Sequence, residues 1–143
     1  MLQREVVGRI TAPPGSTERG YLTVFVEAYC DAEALFDVPP GAFRPVPKVW
    51  SSVVRLRPRA VGPAVGDERL LWQLVSAGFA QRRKTMLNNL RAAPGDLCAR
   101  VESAGGARAL LEAAGVEPSR RAETLTLEEW VAVARPLEAR PAC

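Results

Sequence analysis

Across residues 59–66 the spacing of apolar side chains changes from every second position to about every 3.6, so no single regular element can run through the segment. Before it, Trp50, Val54 and Leu56 lie on one face and Ser51, Val53, Arg55 and Arg57 on the other, the pattern of a half-buried strand from Trp50 to Pro58. After it, Leu71, Leu74, Val75, Gly78 and Phe79 fall at i, i+3, i+4, i+7 and i+8 behind Asp67, which can cap a helix. Gly62-Pro63 and Gly66 within the segment favour neither period. The chain is therefore expected to divide into residues 1–60, a linker at 61–66, and residues 67–143.

Each part has its own signals. In the first, Val6, Val7 and Ile10 suit a helix from Arg4 to Ile10, ended by Pro13-Pro14-Gly15, and a second helix is expected from Tyr21 to Ala28. Glu33 to Val38 reads as a brief strand closed by Pro39-Pro40-Gly41. In the second part, short helices are expected around Arg82 to Leu90, around Leu97, Val101 and Ala104 up to Gly105-Gly106, and around Ala107, Leu110, Leu111 and Ala114 up to Gly115. Thr126-Leu127-Glu128-Glu129 has the form of a capping box and opens a last helix that Pro136 should stop.

Composition narrows the chemistry more than the fold. With no histidine among 143 residues, the chain lacks the commonest general base, the commonest metal ligand and any Ser-His or Cys-His nucleophile arrangement. Cys30, Cys98 and Cys143 are odd in number and widely spaced, which fits neither a zinc site nor a disulfide framework. They read as small buried or terminal residues, and no metal is expected. No segment approaches the roughly 20 apolar residues of a membrane span, and Met1-Leu2-Gln3-Arg4-Glu5 opens no signal peptide. A cytoplasmic setting without a membrane partner is expected.

The total of 19 basic against 16 acidic residues is a mild +3, but its distribution is uneven. Between Phe43 and Ala60 stand Arg44, Lys48, Arg55, Arg57 and Arg59 with no acid, and between Glu68 and Asp96 stand Arg69, Arg82, Arg83, Lys84 and Arg91 with none. Such runs are often just solvated faces, but they also raise local potential and can bind a phosphate backbone. Their contents favour the second account. Phe43-Arg44-Pro45-Val46-Pro47-Lys48 sets an aromatic beside a stiff Pro-x-Pro and two cations, a stacking platform next to a phosphate clamp, although a core Phe43 held by a proline turn fits the same spacing. Gln81-Arg82-Arg83-Lys84-Thr85 places three cations and two neutral hydrogen-bonding groups at an expected helix start. Both runs are read as facing a polyanion.

At these segments the sequence resembles the C-terminal part of the ribosomal RNA adenine dimethyltransferase family. The resemblance runs through Met1-Leu2-Gln3-Arg4-Glu5-Val6, Gly20-Tyr21-Leu22-Thr23-Val24, Leu35-Phe36-Asp37-Val38-Pro39-Pro40-Gly41-Ala42-Phe43, Pro45-Val46-Pro47-Lys48-Val49 and Ser51-Ser52-Val53-Val54-Arg55-Leu56. It continues in Phe79-Ala80-Gln81-Arg82-Arg83-Lys84-Thr85, Asn88-Asn89-Leu90, Ala114-Gly115-Val116, Pro118-Ser119-Arg120-Arg121-Ala122-Glu123 and Leu125-Thr126-Leu127-Glu128-Glu129-Trp130, essentially the whole chain in one order. Trp50 departs from it, standing where the family has a small polar residue such as Asp or Asn.

The resemblance implies an α+β chain: a remnant of the back edge of a Rossmann-like methyltransferase sheet, two strands plus two helices, followed by a small all-α domain. It implies S-adenosylmethionine as the methyl donor of the complete enzyme. The family's glycine-rich cofactor loop, its acidic ribose-binding residue and its Asn-x-Pro-Tyr-like motif are absent here, so no cofactor-binding and no catalytic residue is expected in this chain. On the RNA side, Phe43 matches an aromatic resembling a second wall for a flipped adenine, with Pro45 and Pro47 stiffening it. Lys48, Gln81, Arg82, Arg83 and Lys84 resemble phosphate contacts to small-subunit rRNA. A C-terminal fragment inactive on its own is the leading expectation, and a non-catalytic ribosome-binding module or a functionless truncated relic the alternatives. Apolar faces left uncovered should cause self-association, low solubility or pairing with an N-terminal half.

Overall fold

A computed structural model describes residues 1–138, and the alternating segment is its strand β3 (Ser51–Pro58), flanked in one sheet by β1 (Leu2–Gln3) and β2 (Cys30–Val38). The strand order is β1-β3-β2, with β3 antiparallel to both neighbours, so the outer strands run in the same direction. Strand β2 starts at Cys30, ahead of the expected Glu33. Its ladder with β3 runs from Val38 opposite Ser51 to Cys30 opposite Pro58, and the Arg59 N–H extends it by donating to Tyr29 O at 2.8 Å. The register shifts between Ala34 and Phe36, which leaves Leu35 as the extra residue of a bulge.

Helices α1 (Arg4–Ile10) and α2 (Tyr21–Tyr29) accompany the sheet, close to the expected bounds. Thr23 joins them: its hydroxyl accepts from the Gly20 N–H at 3.0 Å and donates to Arg9 O at 2.5 Å. Arg19 is fully buried, and its guanidinium donates to both Glu27 carboxylate oxygens at 2.9 and 3.1 Å and to Ala12 O at 3.2 Å. Burying a guanidinium is tolerable only with such partners. The resulting core, Val7, Ile10, Ala12, Val24 and Ala28, is small.

The chain divides into two compact units, Met1–Gly62 and Pro63–Cys143. The second is helical throughout its described residues: α3 (Glu68–Gly78), α4 (Met86–Arg91), α5 (Gly95–Ser103), α6 (Ala107–Ala113) and α7 (Leu127–Glu138). Asp67 caps α3 by accepting the Leu70 N–H at 3.1 Å. Gly105 and Gly106, with φ of +99° and +96°, turn the chain between α5 and α6 through a region that residues with a Cβ rarely enter. Trp130 is fully buried, and Leu70, Leu71, Leu74, Val75, Met86, Leu110, Leu111 and Leu137 of the same unit are buried as well. A Cβ on Gly78 would stand 2.5 Å from the Trp130 ring, so the close approach of α3 and α7 requires glycine there.

Two helix boundaries differ from the sequence expectation. Helix α4 begins at Met86, not near Arg82, because Thr85 caps it by accepting the Asn88 N–H at 3.3 Å, and Gln81–Lys84 form a turn ahead of it. Helix α7 passes through Pro136 to Glu138. Contacts beyond the helix offset the missing N–H: Leu137 is buried, Arg100 donates to its carbonyl at 2.9 Å, and the Glu138 carboxylate accepts the Gly66 and Asp67 N–H groups.

Candidate nucleic-acid interface

The candidate residues fall in separate units. In the first, the loop from Pro39 to Trp50 leaves β2 through a 3-10 turn, Pro40–Ala42, in which the Ala42 and Phe43 N–H groups donate to Pro39 O and Pro40 O at 3.1 and 3.2 Å. Phe43 follows in extended backbone and is half-buried, not part of the core. Pro45 and Lys48 are exposed, Pro47 is half-buried, and the Arg44–Pro45 peptide is cis. Trp50 closes the loop, exposed, with the Arg4 guanidinium 5.0 Å from its ring centroid, a cation–π distance.

The basic run of β3 is not an open cationic face. Arg55 hydrogen-bonds Glu33 across the ladder, Arg59 meets Asp31 at 2.9 Å, and Arg4 lies 3.8 Å from Asp37. Along the sequence no acid stands between Phe43 and Ala60, but the antiparallel partner supplies two to this run, Glu33 and Asp31, while its Asp37 faces Arg4. The polyanion expectation for this run is therefore narrowed to Arg44, Lys48 and Arg57, which are exposed and have no ion pair among the described residues.

In the second unit, Gln81, Arg82, Arg83 and Lys84 are all exposed on one turn. Arg82 stands 3.9 Å from Glu123, whereas Arg83 and Lys84 have no ion pair among the described residues. The turn is closed by the Lys84 N–H donating to Gln81 O at 3.0 Å, and the same carbonyl accepts the Asn89 side-chain amide at 3.0 Å. Behind it, the Met86 N–H donates to Arg120 O at 2.7 Å. The Arg120 guanidinium is held by both Glu129 oxygens and by Thr124 O. The hydrogen bonding between Arg120 and Glu129 is the main reason the Glu129 carboxyl lies below, and the Arg120 guanidinium above, its ordinary pKa. Asn89 and Arg120 belong to the quoted family strings, but spacing alone gave them no role. The available signal was an amide set between the apolar Met86 and Leu90.

Two clefts bear on where S-adenosylmethionine could sit. One, of about 190 Å³, is lined by Ile10, Thr11, Glu27, Cys30, Asp31 and Arg59, and is smaller than the roughly 300–1,000 Å³ pockets that hold ligands of drug size. The other, about 430 Å³, is lined mostly by polar side chains, among them Asn88, Arg108, Glu112 and Glu117, with no aromatic wall for an adenine. Neither of these two clefts offers an aromatic wall for the cofactor's adenine. No group of three or more metal-ligating side chains occurs among the described residues, no helix there is long and apolar enough to cross a membrane, and Cys143 lies outside them. Cys30 and Cys98 are free and half-buried.

Comparison with solved structures places this fold among rRNA methyltransferases. A dimethyladenosine transferase from Plasmodium falciparum superposes with a TM-score of 0.69 at 21% identity, covering 92% of this chain and 53% of that one. The 23S rRNA methyltransferase ErmE gives 0.60 at 27% identity, covering 96% and 52%. The model of the family described as ribosomal RNA adenine dimethylase matches residues 1–133, and the chain belongs to that family. The ribosomal RNA small subunit methyltransferase A of Xanthomonas campestris pv. campestris (strain B100) is 47% identical over 135 residues, 94% of this chain and 47% of the relative. That of Anaeromyxobacter sp. (strain K) is 47% identical over 137 residues, 96% and 46%. The chain spans about half the length of the curated relatives it matches.

Proposed function

We propose that this chain is the rear, RNA-holding part of an S-adenosylmethionine-dependent small-subunit rRNA adenine N6-dimethyltransferase, acting in the cytoplasm. The observation that carries the reading is the family match across residues 1–133. Within it, Phe43 serves as one wall for an adenine turned out of its helix, with Pro45 and Pro47 restricting the loop that presents it. Lys48 and the Gln81–Lys84 turn hold phosphates, which sets the register of the RNA without reading its bases. The methyl donor is bound by polypeptide other than these residues. Methyl transfer needs donor carbon and acceptor nitrogen held about 3 Å apart, which requires a donor site placed against the adenine wall. The polypeptide carrying the donor site packs on exposed apolar side chains of the first unit, such as Leu22, Phe25 and Phe36.

Filter binding to small-subunit rRNA across a salt series tests the RNA side. Affinity is expected to fall steeply with salt, and an Arg83→Ala, Lys84→Ala variant to bind more weakly, its salt slope shallower by roughly one for each phosphate no longer neutralised. Salt-insensitive binding, or a variant that binds as well as the parent, contradicts the reading. Binding that responds as expected, with no methyl transfer even when the front half of a relative is added, favours a ribosome-assembly module.

A further inference from the structure

We propose that Asn89 is a positioning residue that orders the Gln81–Lys84 turn before RNA arrives, so that the turn selects a structured RNA backbone over a flexible polyanion. The inference rests on the reading of that turn as an RNA contact.

Asn89 is 4% exposed, and its side-chain nitrogen donates to Gly78 O at 2.9 Å and to Gln81 O at 3.0 Å. The first bond answers a local need, since Gly78 O is among the last carbonyls of α3 and has no partner within the helix. The second does nothing for α3. It falls on the carbonyl that also accepts the Lys84 N–H at 3.0 Å, the bond that closes the turn bearing Arg82, Arg83 and Lys84. The far end of the turn is held as well, by Thr85 capping α4 and by the Met86 N–H on Arg120 O, whose own side chain is fixed by Glu129. One buried amide thus joins the end of α3 to the start of the basic turn, and a second anchor secures its exit.

The physical consequence is a matter of entropy and spacing. Ordering a flexible backbone costs conformational entropy at every residue fixed, and a loop that is ordered only on binding loses affinity by that cost. A turn ordered beforehand avoids the loss, but only for a ligand whose phosphates already lie at matching intervals. Folded RNA has such a backbone. A flexible polyanion adapts equally well to an ordered or a loose turn, because the charges are the same.

The test compares the full chain with Asn89→Asp, which keeps the side-chain outline but removes both donors, and with Asn89→Ala. Each is titrated at fixed salt with a folded small-subunit rRNA fragment and with inorganic polyphosphate, and circular dichroism confirms that the variant is folded. Removing these two hydrogen bonds is expected to weaken rRNA binding about tenfold, while in Asn89→Ala polyphosphate binding changes less than about twofold because no charge on the turn is removed. Equal losses for both ligands in Asn89→Ala, or no loss for rRNA in a folded variant, overturn the proposal. Arg83→Ala with Lys84→Ala must weaken both ligands; if it weakens neither, the RNA reading itself has failed, a separate result from failure of Asn89 alone. Should both Asn89 variants unfold, amide exchange in the parent chain decides: a Lys84 N–H protected before RNA is added supports the proposal, and one protected only in its presence overturns it.

Discussion

Glu129 concentrates several jobs in one carboxylate. It accepts from the Arg120 guanidinium and from the Thr126 N–H at 2.9 Å, while its own N–H donates to the Thr126 hydroxyl at 3.2 Å, so the capping box legible in Thr126-Leu127-Glu128-Glu129 also anchors the Arg120 segment. Its pKa lies below the ordinary 4.5, chiefly through the Arg120 hydrogen bond. A carboxyl depressed on folding stabilises the fold above its unfolded-state pKa, and that stabilisation is lost as pH falls through the folded value. Thermal unfolding should therefore show the helical unit losing stability as pH drops through and below 4.5, and Glu129→Gln should flatten that part of the profile. A variant with an unchanged acid limb would contradict the pairing. At Gly78, where a Cβ would press on Trp130 at 2.5 Å, Gly78→Ala should cost about 1–3 kcal/mol in denaturant unfolding, as overpacking does.

Among the elements, those defined by local period were legible and those defined by partners were not. The stripe of Leu71, Leu74 and Val75 and the alternation through β3 follow from spacing alone, because burial on one face repeats with the geometry of the element itself. The start of α4 was not readable: Gln81–Lys84 suit a helix by propensity, and the bonds that accompany the turn instead, the Thr85 cap and the Asn89 amide on Gly78 O and Gln81 O, are made by residues beyond it. Pro136 misled for the same reason, since the contacts that carry α7 past it come from Arg100, Gly66 and Asp67, far away in sequence. The charge of β3 is the clearest case. Glu33 and Arg55 are 22 residues apart in the chain and adjacent in the ladder, so a run that looked wholly basic has two of its five cations, Arg55 and Arg59, paired with carboxylates of β2. It follows that Arg55→Gln with Arg59→Gln should leave rRNA affinity within about twofold of the parent, whereas Arg83→Ala with Lys84→Ala lowers it. A large loss from the β3 pair in filter binding would return that strand to the interface. Of the candidate site, the aromatic loop and the basic turn were recognisable as residue strings, while an amide between apolar neighbours marked Asn89 without naming its partners, Gly78 O and Gln81 O.

For the molecule as a whole, the distribution of exposed apolar side chains is one-sided. Among the described residues every large hydrophobic exposed to solvent, from Met1 and Leu2 through Tyr21, Leu22, Phe25, Leu35 and Phe36 to Val61, lies in Met1–Gly62. Apolar surface concentrated in this way is uncommon on an isolated soluble monomer. The 15.5 kDa chain should therefore elute on sizing as larger species, and Leu22→Lys with Phe36→Lys should shift it toward monomer; a monodisperse monomer of the parent would show that the surface needs no cover. The central claim, that these residues grip rRNA and leave the methyl donor to other polypeptide, is tested most directly by supplying the purified chain with labelled S-adenosylmethionine and unmethylated small subunits and measuring N6-dimethyladenosine. No product is expected from the chain alone, and dimethyladenosine formed in its presence without any added partner would contradict the claim.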